Sequence, residues 1–258
     1  MRNYLIVVEG AHDIAVVEKL LKMNGVNEKV TSEESLPAVW KRTIPSVFPF
    51  AEGKLDRITP IPSFMMNQEL SVAIKNAGND KEIMNVLQQM LDTMLYEEKD
   101  QLDAIMLLCD ADKKNADEKR REMLNKYTAN EDFILKEQNN IVFLDLAVKE
   151  VPVYTYIFPD DESNGNLENL LLETAKEAYP ELLILAEEYV EQASEYQEIL
   201  KKPQFAKKAK VGCIANAMKP GKANQVSISD DEWITEKTLK VCKMLQKLNA
   251  AIMKMITQ

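Results

Sequence analysis

The chain has 258 residues, 46% of them hydrophobic and 29% charged, with a formal net charge of -10. That is room for one large domain or one domain with an appendage, and the acidity argues against broad, non-specific binding to nucleic acid. One histidine (His12) and three scattered cysteines (Cys109, Cys213, Cys242) exclude histidine-rich metal sites, a zinc cage and a disulfide framework, and suit a reducing cytoplasm.

Tyr4-Leu5-Ile6-Val7-Val8 is a short apolar run closed by Glu9, Gly10 and Asp13. It reads as a strand buried on both faces, and the absence of a charged leader before it argues against a signal peptide. From Asp13 to Met23 the apolar residues Ile14, Val17, Leu20 and Leu21 fall at helical spacing, with Gly25 as the stop. Residues from about 26 to 68 read as an irregular excursion, because Pro37, Pro45, Pro49, Pro60 and Pro62 are incompatible with central strands.

Leu70 to Lys75 is the second strand. A long amphipathic helix follows from about Asp80 to Glu98, with Ile83, Val86, Leu87, Met90, Leu91, Met94 and Leu95 on one face. The third strand, Ala104 to Cys109, ends in Asp110 and Asp112. A charged helix over Asp117 to Tyr127 and a hairpin over Phe133–Leu135 and Ile141–Leu146 come next. The fourth strand, Val151 to Phe158, runs into Pro159, Asp160 and Asp161. Alternation of strands and helices predicts an α/β fold with a mainly parallel sheet of four or more strands over residues 1–165. Residues 166–258 read as a helical section packed on that sheet, with helices over Leu167–Ala178, Pro180–Leu200, Phe205–Met218 and Glu232–Met255. No apolar run approaches the roughly 18 residues of a membrane span.

Acids at strand ends are the informative feature, since α/β sheets form ligand sites outside the carboxyl ends of their strands. Carboxylates gathered there repel one another unless a cation intervenes, and hard oxygen ligands suit Mg²⁺ or Mn²⁺. Each acid also has a plainer reading. Glu9 can be a charge favoured by a helix dipole, and Asp13 is best read as the N-cap of the first helix. Asp110 and Asp112 can be turn residues, although two acids alternating after so apolar a strand favour a metal. For Asp160, Asp161 and Glu168, helix capping and metal ligation both stand. His12 reads as a surface residue, and Trp40 and Trp233 as packing residues. Lys201, Lys202, Lys207, Lys208, Lys210, Lys219 and Lys222 form a basic stretch that is either a solvated face or a phosphate-contacting one.

Val8-Glu9-Gly10 with Asp13, and Asp110-Ala111-Asp112 at a later strand end, resemble the Toprim domain of topoisomerases, primases and OLD-type nucleases. Val7 to Asp13, Phe158 to Asp161, Gly165 to Glu168 and the stretch from Ala215 to Pro220-Gly221 resemble, more narrowly, a Toprim-like family of uncharacterised function, from Tyr4 to about Trp233. The resemblance implies that Glu9 acts as a general acid/base or metal ligand and that Asp110 and Asp112 hold Mg²⁺. Where many Toprim motifs place a glycine soon after the paired aspartates, this chain has Lys113-Lys114-Asn115. Without a singled-out tyrosine nucleophile, gate or zinc ribbon, topoisomerase and primase activities are not expected.

The resulting expectation is a Mg²⁺- or Mn²⁺-dependent phosphodiester-transfer enzyme, a nuclease or related phosphoesterase. Its metal ligands come from Glu9, Asp110, Asp112, Asp160 and Glu168, with Glu9 catalytic. Lys113, Lys207, Lys208 and Lys210 contact nucleic acid or another phosphate-containing substrate. The alternative is a non-catalytic Toprim-like interaction module, and either reading leaves room for a homo-oligomer. A dinucleotide-binding Rossmann site is excluded, because Glu9-Gly10-Ala11-His12-Asp13 lacks the glycine fingerprint and sets an acid against a pyrophosphate.

Overall fold

The computed structural model describes residues 1–44, 61–125, 134–138 and 141–257. Pro45, Pro49, Pro60, Tyr127 and Phe133, which entered the sequence reading, lie outside them. Eight strands form one mixed sheet: β1 (Arg2–Val8), β2 (Glu28–Lys29), β3 (Ser63–Met66), β4 (Leu70–Asn76), β5 (Leu102–Asp110), β6 (Ile134–Gln138), β7 (Ile141–Asp145) and β8 (Glu150–Phe158). Their order is β2-β3-β4-β1-β5-β8-β7-β6. The inner four, β4-β1-β5-β8, are mutually parallel and are the four strands expected from sequence. The sheet is larger than those four because antiparallel strands extend both edges.

Along the inner strands, alternate residues feed two cores. Tyr4, Ile6, Val8, Met106, Leu108, Tyr156 and Phe158 pack on one face; Leu5, Val7, Ile105, Leu107, Cys109 and Ile157 pack on the other. Burial on both faces explains why these strands read as continuous apolar runs. The first face is covered by α1 (Ala11–Met23) and the C-terminal helices: α5 (Leu167–Ala178), α6 (Pro180–Ala193), α7 (Pro203–Met218), α8 (Asn224–Asp230), α9 (Glu236–Val241) and α10 (Lys243–Thr257). Residues beyond 166 therefore share a core with β1, β5 and β8. The second face is covered by α2 (Ile83–Thr93) and α4 (Ala116–Asn125), with α3 (Tyr96–Lys99) at its margin.

Two tryptophans key these layers. Trp40, in a 3-10 turn, donates its indole N–H to Ser71 Oγ at 2.8 Å, and Ser71 donates on to Asn3 Oδ1 at 2.8 Å. Trp233 donates to Ser227 Oγ at 2.9 Å and stacks edge-on with Tyr179. Both are fully buried, so the packing reading holds.

Several expected elements change form. The proline-rich stretch supplies the two-residue edge strand β2 and, next to it, β3, which begins just after Pro62 and so keeps that proline out of its ladder. The helix expected over 80–98 breaks at Met94 and Leu95, both in extended conformations. Thr93 returns its hydroxyl to Met90 O, and Glu98 caps the Leu95 N–H, which closes one helix and opens the next. The terminal helix likewise breaks at Cys242, and the helix from Pro180 stops at Ala193. Among the described residues no helix is long and apolar enough to cross a membrane.

Candidate functional site

Because β4, β1, β5 and β8 run parallel, their carboxyl ends share one edge: Val8 pairs with Asn76 and Leu108, and Asp110 with Phe158. Glu9 follows β1 there, and its Oε2 accepts the Asp110 backbone N–H at 3.2 Å. Asp110 closes β5 and uses Oδ1 to accept the N–H of Leu167, the first residue of α5, at 2.8 Å. The sheet edge and the start of α5 are thus joined through one carboxylate. Asp13 is not the N-cap expected from sequence. The helix starts earlier, at Ala11, which makes Asp13 its third residue; the carboxylate reaches back to the Gly10 N–H at 2.6 Å.

That shift puts Asp13 into the acidic cluster with Glu9, the reading that the sequence ranks below helix capping. Asp13 is 5% exposed, Glu168 on the first turn of α5 is also 5% exposed, and Asn166, the N-cap of α5, is 4% exposed. Burial and then the Glu9 charge raise Asp13 to about 7. Asp110 lies well above the usual carboxylate range, through burial first and then the charges of Asp13, Glu9 and Glu168. Burial likewise raises Glu9 against the Asp110 N–H, and raises Glu168 against Lys208. Four mutually repelling carboxylates thus meet at the sheet edge. Around a hollow of about 250 Å³, Glu9, Asp13, Asp110 and Glu168 are joined by His12 and Lys208. His12, partly exposed on the first turn of α1, lines this hollow, and burial and Lys208 both lower its pKa.

Two buried oxygens, Asn166 Oδ1 and Glu168 Oε2, have no hydrogen-bond partner among the described residues. Such acceptors cost free energy unless a ligand or ion engages them. The donor set is all oxygen, the kind Mg²⁺ and Mn²⁺ take. Among the described residues, no three acidic, histidine or cysteine side chains already converge as metal ligands.

Asp112 stands just outside this hollow. Its backbone is left-handed (φ 57°) and exchanges hydrogen bonds with Gly165, at 2.7 Å from its N–H and 3.0 Å to its carbonyl. Asp112 lines a larger cleft of about 750 Å³ that is also lined by Asn164, Asn166, Asn169 and Gln204. Five lysines (Lys81, Lys113, Lys114, Lys119, Lys207) face Asp80, Asp112 and Glu122 across it. Lys119 is paired with Asp80 at 2.6 Å and Lys114 with Glu122, while Lys207 donates to Asn169 Oδ1 at 2.9 Å.

Two expected site residues lie elsewhere. Asp160 folds its own turn, accepting the N–H groups of Glu162 and Ser163 and the Ser163 hydroxyl. Those bonds outweigh burial and keep its pKa below the ordinary value. Its neighbour Asp161 accepts from Ile157 N–H and from Arg120. Lys210 points away and pairs with Glu187 at 3.1 Å.

The family described as "Protein of unknown function (DUF3226)" matches residues 3–250. A solved structure, that of a hypothetical protein from Pyrococcus horikoshii OT3, is similar at 17% identity and a TM-score of 0.55, covering 98% of this chain and 100% of its own. At that identity the likeness is one of fold. No curated protein matches the sequence.

Proposed function

The chain belongs to this family, and we propose that it is a divalent-cation-dependent phosphodiester-transfer enzyme of Toprim-like architecture, a nuclease or related phosphoesterase. The observation that carries the reading is the buried carboxylate cluster of Glu9, Asp13, Asp110 and Glu168, with Glu168 Oε2 unpartnered inside it. Repulsion of that kind is relieved by a bound cation. Glu9, Asp110, Asp112 and Glu168 are the residues that would hold Mg²⁺ or Mn²⁺. The bound cation supplies Lewis-acid polarisation of a phosphate oxygen and an acidified water.

This chain's residues do the rest. Glu9 keeps Oε2 on the Asp110 N–H, which leaves Oε1 to take the proton of an attacking water. Asp110 is held at the sheet edge by the Leu167 N–H. Lys208 beside the cluster and Lys113 and Lys207 in the adjoining cleft draw the phosphate groups toward the acids. The test is a screen of single-stranded and duplex DNA and RNA, with generic phosphodiesters, in Mg²⁺ and Mn²⁺. Turnover that requires added metal and stops on chelation is expected. A second reading, a non-catalytic Toprim-like interaction module, is favoured by the lack of three pre-converged ligands among the described residues. Absence of turnover on every substrate would select it.

A further inference from the structure

We propose that the substrate is a small phosphorylated molecule with a hydroxyl-bearing body, seated whole in the 750 Å³ cleft beside the acids, and not an internal stretch of a nucleic-acid chain. This deepens the functional reading above and rests on it for the reaction, but not for the binding.

The first argument is charge. In a chain of net charge -10 the cleft gathers five lysines against three acids. Two of those acids are engaged by Lys114 and Lys119, and Lys113 makes no ion pair among the described residues. Lys113 therefore stands ready for an anion, and Lys207, hydrogen-bonded to the neutral Asn169 amide, brings a second positive charge to the cleft. The second argument is Asn166, which lines the cleft and whose buried Oδ1 has no hydrogen-bond partner among the described residues. A phosphate oxygen cannot satisfy it; a hydroxyl or amino group of the ligand can. Asn164, Asn169 and Gln204 line the same wall and extend this polar recognition surface.

The third argument is what surrounds the cleft. Polymer binding needs lysines spread along a backbone track, free to displace counterions. Here three of the seven lysines of the basic stretch are already engaged within the chain: Lys201 pairs with Glu198, Lys210 with Glu187, and Lys219 with Asp230 and Asp231. No aromatic side chain among the described residues lines the cleft, so it offers no platform on which successive bases would stack. The volume falls within the range of about 300–1,000 Å³ typical of small-molecule sites.

The experiment is calorimetric titration in the presence of chelator with inorganic phosphate, ribose 5-phosphate, AMP and a single-stranded oligonucleotide. Wild type is compared with Lys113→Gln/Lys207→Gln, whose partly or fully exposed side chains leave the fold intact. Expected is binding of ribose 5-phosphate or AMP more tightly than phosphate, weakened about tenfold or more in the double variant. The ratio of the two esters tells a sugar phosphate from a nucleotide. The proposal is overturned if neither ester binds, if the variant binds as wild type does, or if the oligonucleotide binds more tightly than both esters. Because metal is absent, ester binding without later metal-dependent turnover would sink the catalytic reading alone. Oligonucleotide cleavage without ester binding would sink this inference alone.

Discussion

Asp112 and Gly165 exchange two backbone hydrogen bonds, at 2.7 and 3.0 Å, and so pin the loop after β5 to the loop before α5. Part of the candidate site is referred to this pair, because Asp110 and Ala111 precede one partner and Asn166 to Glu168 follow the other.

Gly165 has a positive φ of 137°, and a Cβ there would meet Asn169 Oδ1 at 2.8 Å. Gly165→Ala is expected to cost about 2 kcal/mol or more in urea unfolding, from backbone strain plus the displaced Asn169. A loss below about 0.5 kcal/mol, the range of an ordinary surface substitution, would show that the pairing does not hold the loop.

The acid cluster makes a signed pH prediction. Asp13 is raised in the folded chain from an ordinary 3.8 to about 7, so its ionised form is disfavoured by folding. Its contribution is fully present below the unfolded value and is lost as pH rises from about 4 to about 7. Without divalent metal, Asp13→Asn keeps an acceptor for the Gly10 N–H and should remove that decline, by up to about 4 kcal/mol at the alkaline end. Parallel pH profiles for wild type and variant would place the decline on other groups.

Millimolar Mg²⁺ or Mn²⁺ should raise the melting temperature by about 5 °C near saturation, by mass action on the native state. Asp110→Asn/Asp112→Asn should abolish the increment. Equal increments in both proteins would put the ion elsewhere.

If turnover is found, Glu9→Gln should lower kcat about 10²-fold, since the amide still accepts the Asp110 N–H but cannot take a proton. Lys207→Gln and Lys208→Gln should raise KM, whereas Lys210→Gln, which breaks only the Glu187 pair, should not. Glu9→Gln with wild-type kcat would remove it from the chemistry.

Ser71 links Trp40 to Asn3 inside the sheet layer. Ser71→Ala leaves a buried indole N–H and an amide oxygen unpaired, and should cost about 2 kcal/mol by thermal or urea unfolding. A neutral result would mean that water or a shifted side chain replaces the hydroxyl.

Much of this was legible in sequence where the pattern is local. The parallel strands β1, β4, β5 and β8 declared themselves because burial on both faces leaves an uninterrupted apolar run, and a parallel sheet must then place their terminal acids at one edge. β2 and β3 were not legible: both are short, of two and four residues, and the prolines around them spoke against any strand. Helix breaks at Met94 and Cys242 escaped because an apolar stripe continues across an unwound residue.

For the candidate site, composition determined the kind of chemistry and tertiary contact decided the membership. Glu9 and Asp110 were readable as strand-end acids. Asp160 carries the same local signature yet spends its oxygens on its own turn, while Asp13 joins the cluster because its helix begins three residues sooner than its side chain suggested. Lys207, Lys208 and Lys210 look alike in the chain; α7 turns the first two toward the acids and the third toward Glu187. Residue type and spacing determine what a group can do, but which groups lose their water together, and so repel or bind together, is set only when separate elements are packed into one edge.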